Sequence, residues 1–313
     1  MNTESEFDAI IIGGSYAGLS AAMTLGRARR HVLVIDSGNP CNKQSPRSHN
    51  FLTRDGERPC DVTAVAREQV TQYPTVDFVS AKAMQARKDD KLFAVRADNG
   101  VTYRAPKLVF ASGLTDLLPD IPGFADCWGR SVLHCPYCHG YEVIDRPTGI
   151  LANGTLAFEM ARTISQWTND LTVFTNGKAV FSEDEYAFFK QRSIAVVEEQ
   201  IKQLDHENGQ LTQVVFAGGR PYALEVLYAH PHTRQQCDLA VKFGCRMNDH
   251  GCIDSDVFQR TSVPGIFAAG DCTSVGRAIS VAVAAGTVAG LFLNKELIEE
   301  ASSEALHQEG QHR

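Results

Sequence analysis

Long hydrophobic runs are scarce in this chain. The longest mostly small-apolar stretch, residues 278–293, falls short of the roughly 20 residues a membrane span needs, and its alanines and glycines suit a buried helix. No membrane partner is therefore expected. An excess of positive charge is also lacking. Thirty Lys and Arg against 37 Asp and Glu give a net charge of −7, which argues against the basic face of a general nucleic-acid binder. The opening residues, Met1-Asn2-Thr3-Glu4-Ser5-Glu6, are polar and acidic and do not read as a secretory signal. The expected address is cytoplasmic. A secreted disulfide framework is missing too, because nine cysteines is an odd number and their spacing is irregular. His230, Pro231 and His232 with Cys237 match no zinc spacing, so no metal is expected.

What the chain does have is ordinary globular composition, with 43% hydrophobic and 21% charged residues. Its 313 residues suffice for two cores. Residues 8–12 are an apolar run suited to a buried parallel strand. A glycine turn follows, then a helical stretch over 19–29 and a second apolar run, 32–35, ending in Asp36. This is a βαβ opening. Asn99-Gly100 and Asn208-Gly209 each separate two strand-like runs and predict tight hairpins. Residues 116–122 read as a linker, and a second strand–turn–helix–strand unit runs over 148–174. The chain is expected to return to its first domain near Arg246. The polar tail, 301–313, is expected to fray.

Cys135-Pro136-Tyr137-Cys138 carries the most chemistry. Two cysteines separated by two residues can close and reopen a small disulfide ring with little backbone movement, the geometry of a redox-active dithiol. The other seven cysteines read as small buried hydrophobes. The first turn, Gly13-Gly14-Ser15-Tyr16-Ala17-Gly18, approximates the glycine pattern that lets backbone N–H groups approach a pyrophosphate at a helix start. Ser15 replaces the middle glycine. Asp36 falls where a ribose hydroxyl is accepted. Near the other end, an apolar strand ends in Gly270-Asp271, setting a carboxylate where α/β sheets bind ligands. Arg277-Ala278-Ile279 is expected to begin the last helix, with its amides facing the electron-rich edge of a flavin.

These motifs, in this order and over nearly the whole length, resemble the low-molecular-weight thioredoxin reductase family of flavoproteins. Ala111-Ser112-Gly113 matches the strand-end motif joining the two domains there. The segment His134-Cys135-Pro136-Tyr137-Cys138-His139-Gly140-Tyr141-Glu142 resembles a side branch that includes dithiol oxidases closing disulfides in gliotoxin, holomycin and depsipeptides. The resemblance implies an α/β fold of two Rossmann-like, three-layer ββα domains, the second inserted in the first. An FAD-binding domain is expected over 1–116 and 246–313, with an NAD(P)H-binding-like domain carrying CxxC over 117–245. It further implies FAD held by Gly13, Gly14, Ser15, Ala17, Gly18, Asp36, Ala111, Gly113, Gly270, Asp271, Arg277, Ala278 and Ile279. Cys138 is the implied flavin-proximal sulfur and Cys135 the one exchanging with substrate. A thioredoxin-like protein or a small dithiol or disulfide is the implied partner, and a homodimer the implied assembly.

A proton acceptor is needed to make a thiolate, and a histidine near its ordinary pKa of about 6.5 can serve. His139 takes the place of the acid after the second cysteine in ordinary reductases, and His134 is the second candidate. For both, a structural hydrogen bond is the plainer alternative. His49, in the polar loop 42–55, is a candidate cofactor or substrate contact, as is Arg54. The second nucleotide turn is degenerate. It reads Ala152-Asn153-Gly154-Thr155, with Lys178 as the one basic residue after the next strand. NADPH held by Lys178, NADH, or no nicotinamide at all are the open alternatives. The expected reaction is electron exchange between flavin and a substrate disulfide through Cys135 and Cys138, with NAD(P)H as donor. Its rivals are a small-molecule dithiol oxidase passing electrons to oxygen and a redox sensor that retains FAD without turnover.

Overall fold

The protein was analysed as a computed structural model that describes residues 7–311, with side chains as far as Ser303; the acidic opening, residues 1–6, lies outside the described residues. The chain forms two compact units. One runs up to Cys41 and includes Cys60–Thr115 and everything from Thr233 onward; the other comprises Asn42–Pro59 and Asp116–His232.

The first unit is built on a five-stranded parallel sheet in the order Ile266–Ala268, Lys107–Phe110, Ala9–Ile12, Val32–Asp36, Val76–Ser80. Ala9–Ile12 and Lys107–Phe110 are buried along their whole length, as strands covered on both faces must be. The sole polar residue in those two strands, Lys107, sends its Nζ to Glu296 at 3.1 Å and to Glu300 at 2.5 Å on the last helix. A three-stranded antiparallel sheet, Ala83–Asp89, Leu92–Ala97 and Thr102–Ala105, adds a further layer. Its second hairpin turns at Asn99-Gly100, where Gly100 has φ +82°.

Helix Tyr16–Arg27 lies along the last helix, Ile279–Gln311, through small residues. A Cβ on Gly286 would collide with the Ala17 carbonyl, and one on Gly290 would sit 2.8 Å from Thr24 Cβ. Ser20 Oγ donates to the Val283 carbonyl at 2.7 Å. Two expectations are corrected here. The last helix continues to Gln311 rather than fraying from residue 301, and its segment Ile279–Ser303 is, by length and composition, apolar enough to cross a membrane. The stretch 278–293 stops at Asn294, whereas Leu297 and Ile298 carry apolar character further along the same helix. Its glycine-bearing side is the one pressed against the first helix.

The second unit repeats the plan. Its parallel sheet has the order Ala195–Val197, Leu171–Phe174, Thr148–Leu151, Val226–Ala229, Val132–Leu133. Helices Gly154–Ile164 and Glu183–Gln191 accompany it. An antiparallel sheet of Ile201–Glu207, Gln210–Phe216 and Pro221–Ala223 completes it. Asn208 and Gly209 both have positive φ, 53° and 82°, as a two-residue hairpin of this kind demands. Two Rossmann-like α/β units, one inserted in the other, are thus what the chain forms.

The unit boundaries differ from the expected ones in two places. The return to the first unit comes at Thr233 instead of Arg246. The cause is packing: Leu239, Ala240 and Cys245 are buried in the first unit's core, with Phe243 against it. Residues 42–59 go with the second unit, because Gln44 and Ser45 press on Gly129, and His49 meets His139 and Glu142.

Candidate active site

The dithiol sits on a single helical turn, Pro136–His139, in the second unit. Proline at the first helical position has φ pre-set for a helix and no N–H to leave unpaired. Cys135 is the extended residue just before the turn, and Cys138 N–H donates to its carbonyl at 3.2 Å. Residues three apart share a helix face, and Cys138 Sγ lies 2.6 Å from Cys135 Sγ. Gly140 closes the turn by donating its N–H to the Pro136 carbonyl at 2.7 Å. A side chain there has no room: a Cβ would stand 2.5 Å from that same carbonyl and 2.9 Å from Trp167 Nε1. Trp167 also supports Tyr137 edge-on, with ring centroids 5.5 Å apart.

His139, His49 and Glu142 form a titratable cluster on and beside the dithiol turn. His139 follows Cys138 directly, and its pKa is held below the ordinary histidine value, chiefly by burial, then by the His49 charge, with Glu142 opposing. It is therefore neutral, and able to accept a proton, through the neutral range. His49 stands edge-on to His139, with centroids 6.3 Å apart. Its Nδ1 is 3.3 Å from Glu142 Oε1 and 3.8 Å from Asp55 Oδ2. The polar loop thus delivers His49 to the dithiol cluster. Arg54 pairs with Glu57 at 3.0 Å within the same loop. His134 faces Trp128, rings 5.9 Å apart and tilted by 32°.

The remaining cysteines divide in two. Burial pushes the thiols of Cys127, Cys237, Cys245 and Cys252 up, and that of Cys272 up to about 12, so these stay protonated and inert. Cys41 and Cys60 are exposed, contrary to the expectation of burial. Cys60 lies at the start of helix Pro59–Thr71, whose Val62 and Val70 are buried, and Cys41 lies in the polar segment after Asp36.

In the first unit, three parallel strands end side by side, and their following residues form one cradle. Gly13 (φ +109°) follows Ala9–Ile12, Ala111-Ser112-Gly113 follows Lys107–Phe110, and Ala269-Gly270-Asp271 follows Ile266–Ala268. A Cβ on Gly13 would strike the Ala111 carbonyl, one on Gly18 the Gly13 carbonyl, and one on Gly14 would be 2.8 Å from Asp36 Cβ. Gly270 has no room for a side chain, since its Cβ would be 2.8 Å from Ala17 Cβ, and a Cβ on Gly286 would strike the Ala17 carbonyl. Ser15 stands in extended conformation at the helix start, with no cap made by its hydroxyl.

Two carboxylates flank this cradle. Asp36 Oδ1 accepts from Gly38 N–H at 3.2 Å, and Asp271 Oδ2 is 3.5 Å from Arg277 Nε and 3.6 Å from Cys41 Sγ. The last helix starts at Ile279, two residues after Arg277, with Ala282 N–H bonded to the Ala278 carbonyl at 3.0 Å. Ser112 Oγ is buried beside Gly13 without a hydrogen-bond partner. A polar ligand lying along the turn would supply one, so these residues fit a dinucleotide such as FAD.

The corresponding turn of the second unit is closed by its own chain. Asn153 caps helix Gly154–Ile164, its Oδ1 accepting from Gly154 N–H at 2.8 Å and from Val180 N–H at 3.0 Å. Its Nδ2 donates to the Lys178 carbonyl at 2.8 Å. Residues 178–180 are thereby strapped across the helix start, with the Val180 carbonyl 3.5 Å from where a Gly154 Cβ would be. Ala179 N–H is held by Glu198 Oε1 at 2.7 Å, which adds a carboxylate beside the lone Lys178. Asn153 and Gly154 thus bind their own chain.

Of the participants, Glu142 lies one helical turn beyond Cys138, so its spacing could have flagged it. Trp167 carries no local signal, since it reaches the dithiol turn from a distant part of the chain.

Known proteins share this architecture. A thioredoxin reductase named tcpT from Claviceps purpurea (strain 20.1) is 31% identical, over 96% of this chain and 97% of its own. The solved oxidoreductase from Agrobacterium tumefaciens is 37% identical with a TM-score of 0.88, covering 94% of this chain and 99% of that one. The solved structure of HlmI is 33% identical with a TM-score of 0.92, covering 99% and 98%. The family model of pyridine nucleotide-disulphide oxidoreductases matches residues 7–286. The chain belongs to that family, as a thioredoxin-reductase-like flavin disulfide oxidoreductase.

Proposed function

We propose that this protein is an FAD-dependent dithiol/disulfide oxidoreductase in which Cys135 and Cys138 exchange with the sulfurs of its substrate. The observation that carries this reading is the pair of adjacent sulfurs beside a histidine kept neutral by burial. His139 takes the proton of an incoming thiol and so makes the attacking thiolate. His49 and Glu142 hold each other at 3.3 Å and set the charge around that imidazole. The first unit's cradle, Gly13, Gly14, Gly18, Ala111, Gly113, Gly270 and Asp271, holds the FAD, with Asp36 serving a ribose hydroxyl. FAD supplies the two-electron store that a dithiol alone lacks.

The strap of residues 178–180 on Asn153 favours a small-molecule dithiol as electron donor, with oxygen as acceptor, over NAD(P)H. A thioredoxin-like protein is the partner under the other direction of flux. Dimerisation, implied by resemblance, has a surface to use in the exposed Val281, Leu291 and Ile298 of the last helix. The test is anaerobic titration of the yellow protein with NADPH, NADH and dithiothreitol, followed at about 450 nm where oxidised flavin absorbs. Bleaching by the dithiol alone, lost in Cys135→Ser and Cys138→Ser, is expected. Rapid bleaching by either nicotinamide would overturn the direction. Unimpaired dithiol bleaching in both serine variants would overturn the role of the pair.

A further inference from the structure

Asp36 ends strand Val32–Asp36 and stands against the glycine turn. A Cβ on Gly14 would be 2.8 Å from the Asp36 Cβ and Cγ and 3.0 Å from its Oδ2. That turn is the place for a dinucleotide's diphosphate, so the carboxylate borders charge of its own sign whenever the site is filled. Like charges a few ångströms apart repel. The strand's other residues, Val32, Leu33, Val34 and Ile35, are apolar and offset nothing. An acid placed beside the phosphates it must tolerate is the feature to be explained.

The balancing charge comes from the next helix. Arg67, on helix Pro59–Thr71, brings its Nη1 to 3.8 Å from Asp36 Oδ2. Its guanidinium carbon lies 4.7 Å from the centre of the Phe78 ring, within cation–π range. Phe78 sits on the neighbouring strand Val76–Ser80, which runs parallel with Ser80 paired to Asp36. Partly exposed ion pairs contribute little when both side chains must be ordered to form them. Here the Phe78 ring holds Arg67, and the Gly38 N–H holds Asp36 Oδ1 at 3.2 Å. Both ends of the pair are thus ordered by contacts within the same unit, before any ligand enters.

We propose that Arg67 is a positioning residue for the adenosine half of the bound FAD. It balances and orients the Asp36 carboxylate, so that this acid can accept from a ribose hydroxyl without driving the neighbouring diphosphate away. Arg67 acts through Asp36, and no covalent bond is made or broken. The inference rests on the FAD reading above.

The test is a double-mutant cycle on the flavin-loaded protein. The FAD dissociation constant is read on serial dilution from the fluorescence of released FAD, so no turnover is needed. Arg67→Met keeps an apolar stem over Phe78 and removes the charge. It is expected to raise the constant about threefold to fivefold, and by less at about 1 M salt, where screening is strong. In an Asp36→Asn background the same change should add nothing, because no carboxylate is left to balance. Arg67→Gln is expected to behave as Arg67→Met does, and it serves if the methionine variant fails to fold. An unchanged constant in the Arg67 variants would overturn the proposal. So would the same factor lost with and without the Asp36 carboxylate, which would leave Arg67 a surface residue packed on Phe78. A wild-type protein that holds no FAD would instead sink the reading on which the inference rests, so the two failures are distinct.

Discussion

Gly140→Ala probes how tightly the dithiol turn is held. The new Cβ would sit 2.5 Å from the Pro136 carbonyl and 2.9 Å from Trp167 Nε1, where unstrained contact needs upwards of about 3.4 Å. Neither neighbour is a free end. The carbonyl accepts the Gly140 N–H itself, and Trp167 supports Tyr137. Backbone preference opposes the clash, because Gly140 has helical φ −67° and ψ −33°, where alanine is favoured over glycine by about 1 kcal/mol. Overpacking costs about 1–3 kcal/mol, so the net effect is a loss of up to about 2 kcal/mol. At about 2–4 °C per kcal/mol, the melting temperature falls by several degrees.

The functional consequence is larger, since the turn must shift to make room and it carries both sulfurs. Turnover with a dithiol should fall by about tenfold to a hundredfold, while flavin content stays at wild-type level because the cradle lies in the other unit. Gly218→Ala is the control, with open space around its Cβ and no left-handed backbone to satisfy. A Gly140→Ala protein that melts higher than wild type and turns over at full rate would refute the packing argument.

Further outcomes are expected. His139→Gln should cut dithiol turnover by about 10²–10⁴-fold. In the parent protein the acid limb of the rate profile should lie below the ordinary histidine value, because burial lowers the His139 pKa, and Glu142→Gln, which removes the opposing charge, should move that limb lower still. The sign for stability agrees: below pH 6.5 the unfolded chain takes up a proton at this histidine before the folded one does, so folding weakens as pH falls through that range. Gly286→Leu should separate the first and last helices and release flavin, measured by filtration and absorbance, because even a Cβ there strikes the Ala17 carbonyl. Lys107→Met should cost about 1–3 kcal/mol, because a buried ammonium is lost while Glu296 keeps Arg260, whose Nε is 2.7 Å away; denaturant titration measures it, and no loss at all would refute the pairing.

Much was legible in the sequence because it is encoded locally. The strand–turn–helix starts at residues 9–27 and 148–164 follow from apolar runs next to glycine or asparagine turns, and both Asn-Gly segments turn hairpins, Asn208-Gly209 with both residues at positive φ and Asn99-Gly100 with the glycine alone. The CxxC turn needs only its own four residues and Gly140. Residues 233–245 were misassigned because their few apolar side chains, Leu239, Ala240 and Cys245, reveal their core only when that core is present. The end of the last helix was misplaced because its polar final turns carry no glycine or proline stop after Gly290 until Gly310.

The sequence by itself determined the two Rossmann-like starts, the dithiol and the glycine turn for FAD, since each is a contiguous segment whose backbone preferences suffice. Only the tertiary structure decided which histidine is held neutral, because that depends on burial and on His49 arriving from a loop about 90 residues upstream of His139. It alone showed that Asn153 is spent on residues 178–180, a contact across a whole helix and strand. Burial, charge and strapping are sums over neighbours brought together by folding, and no run of adjacent residues records them.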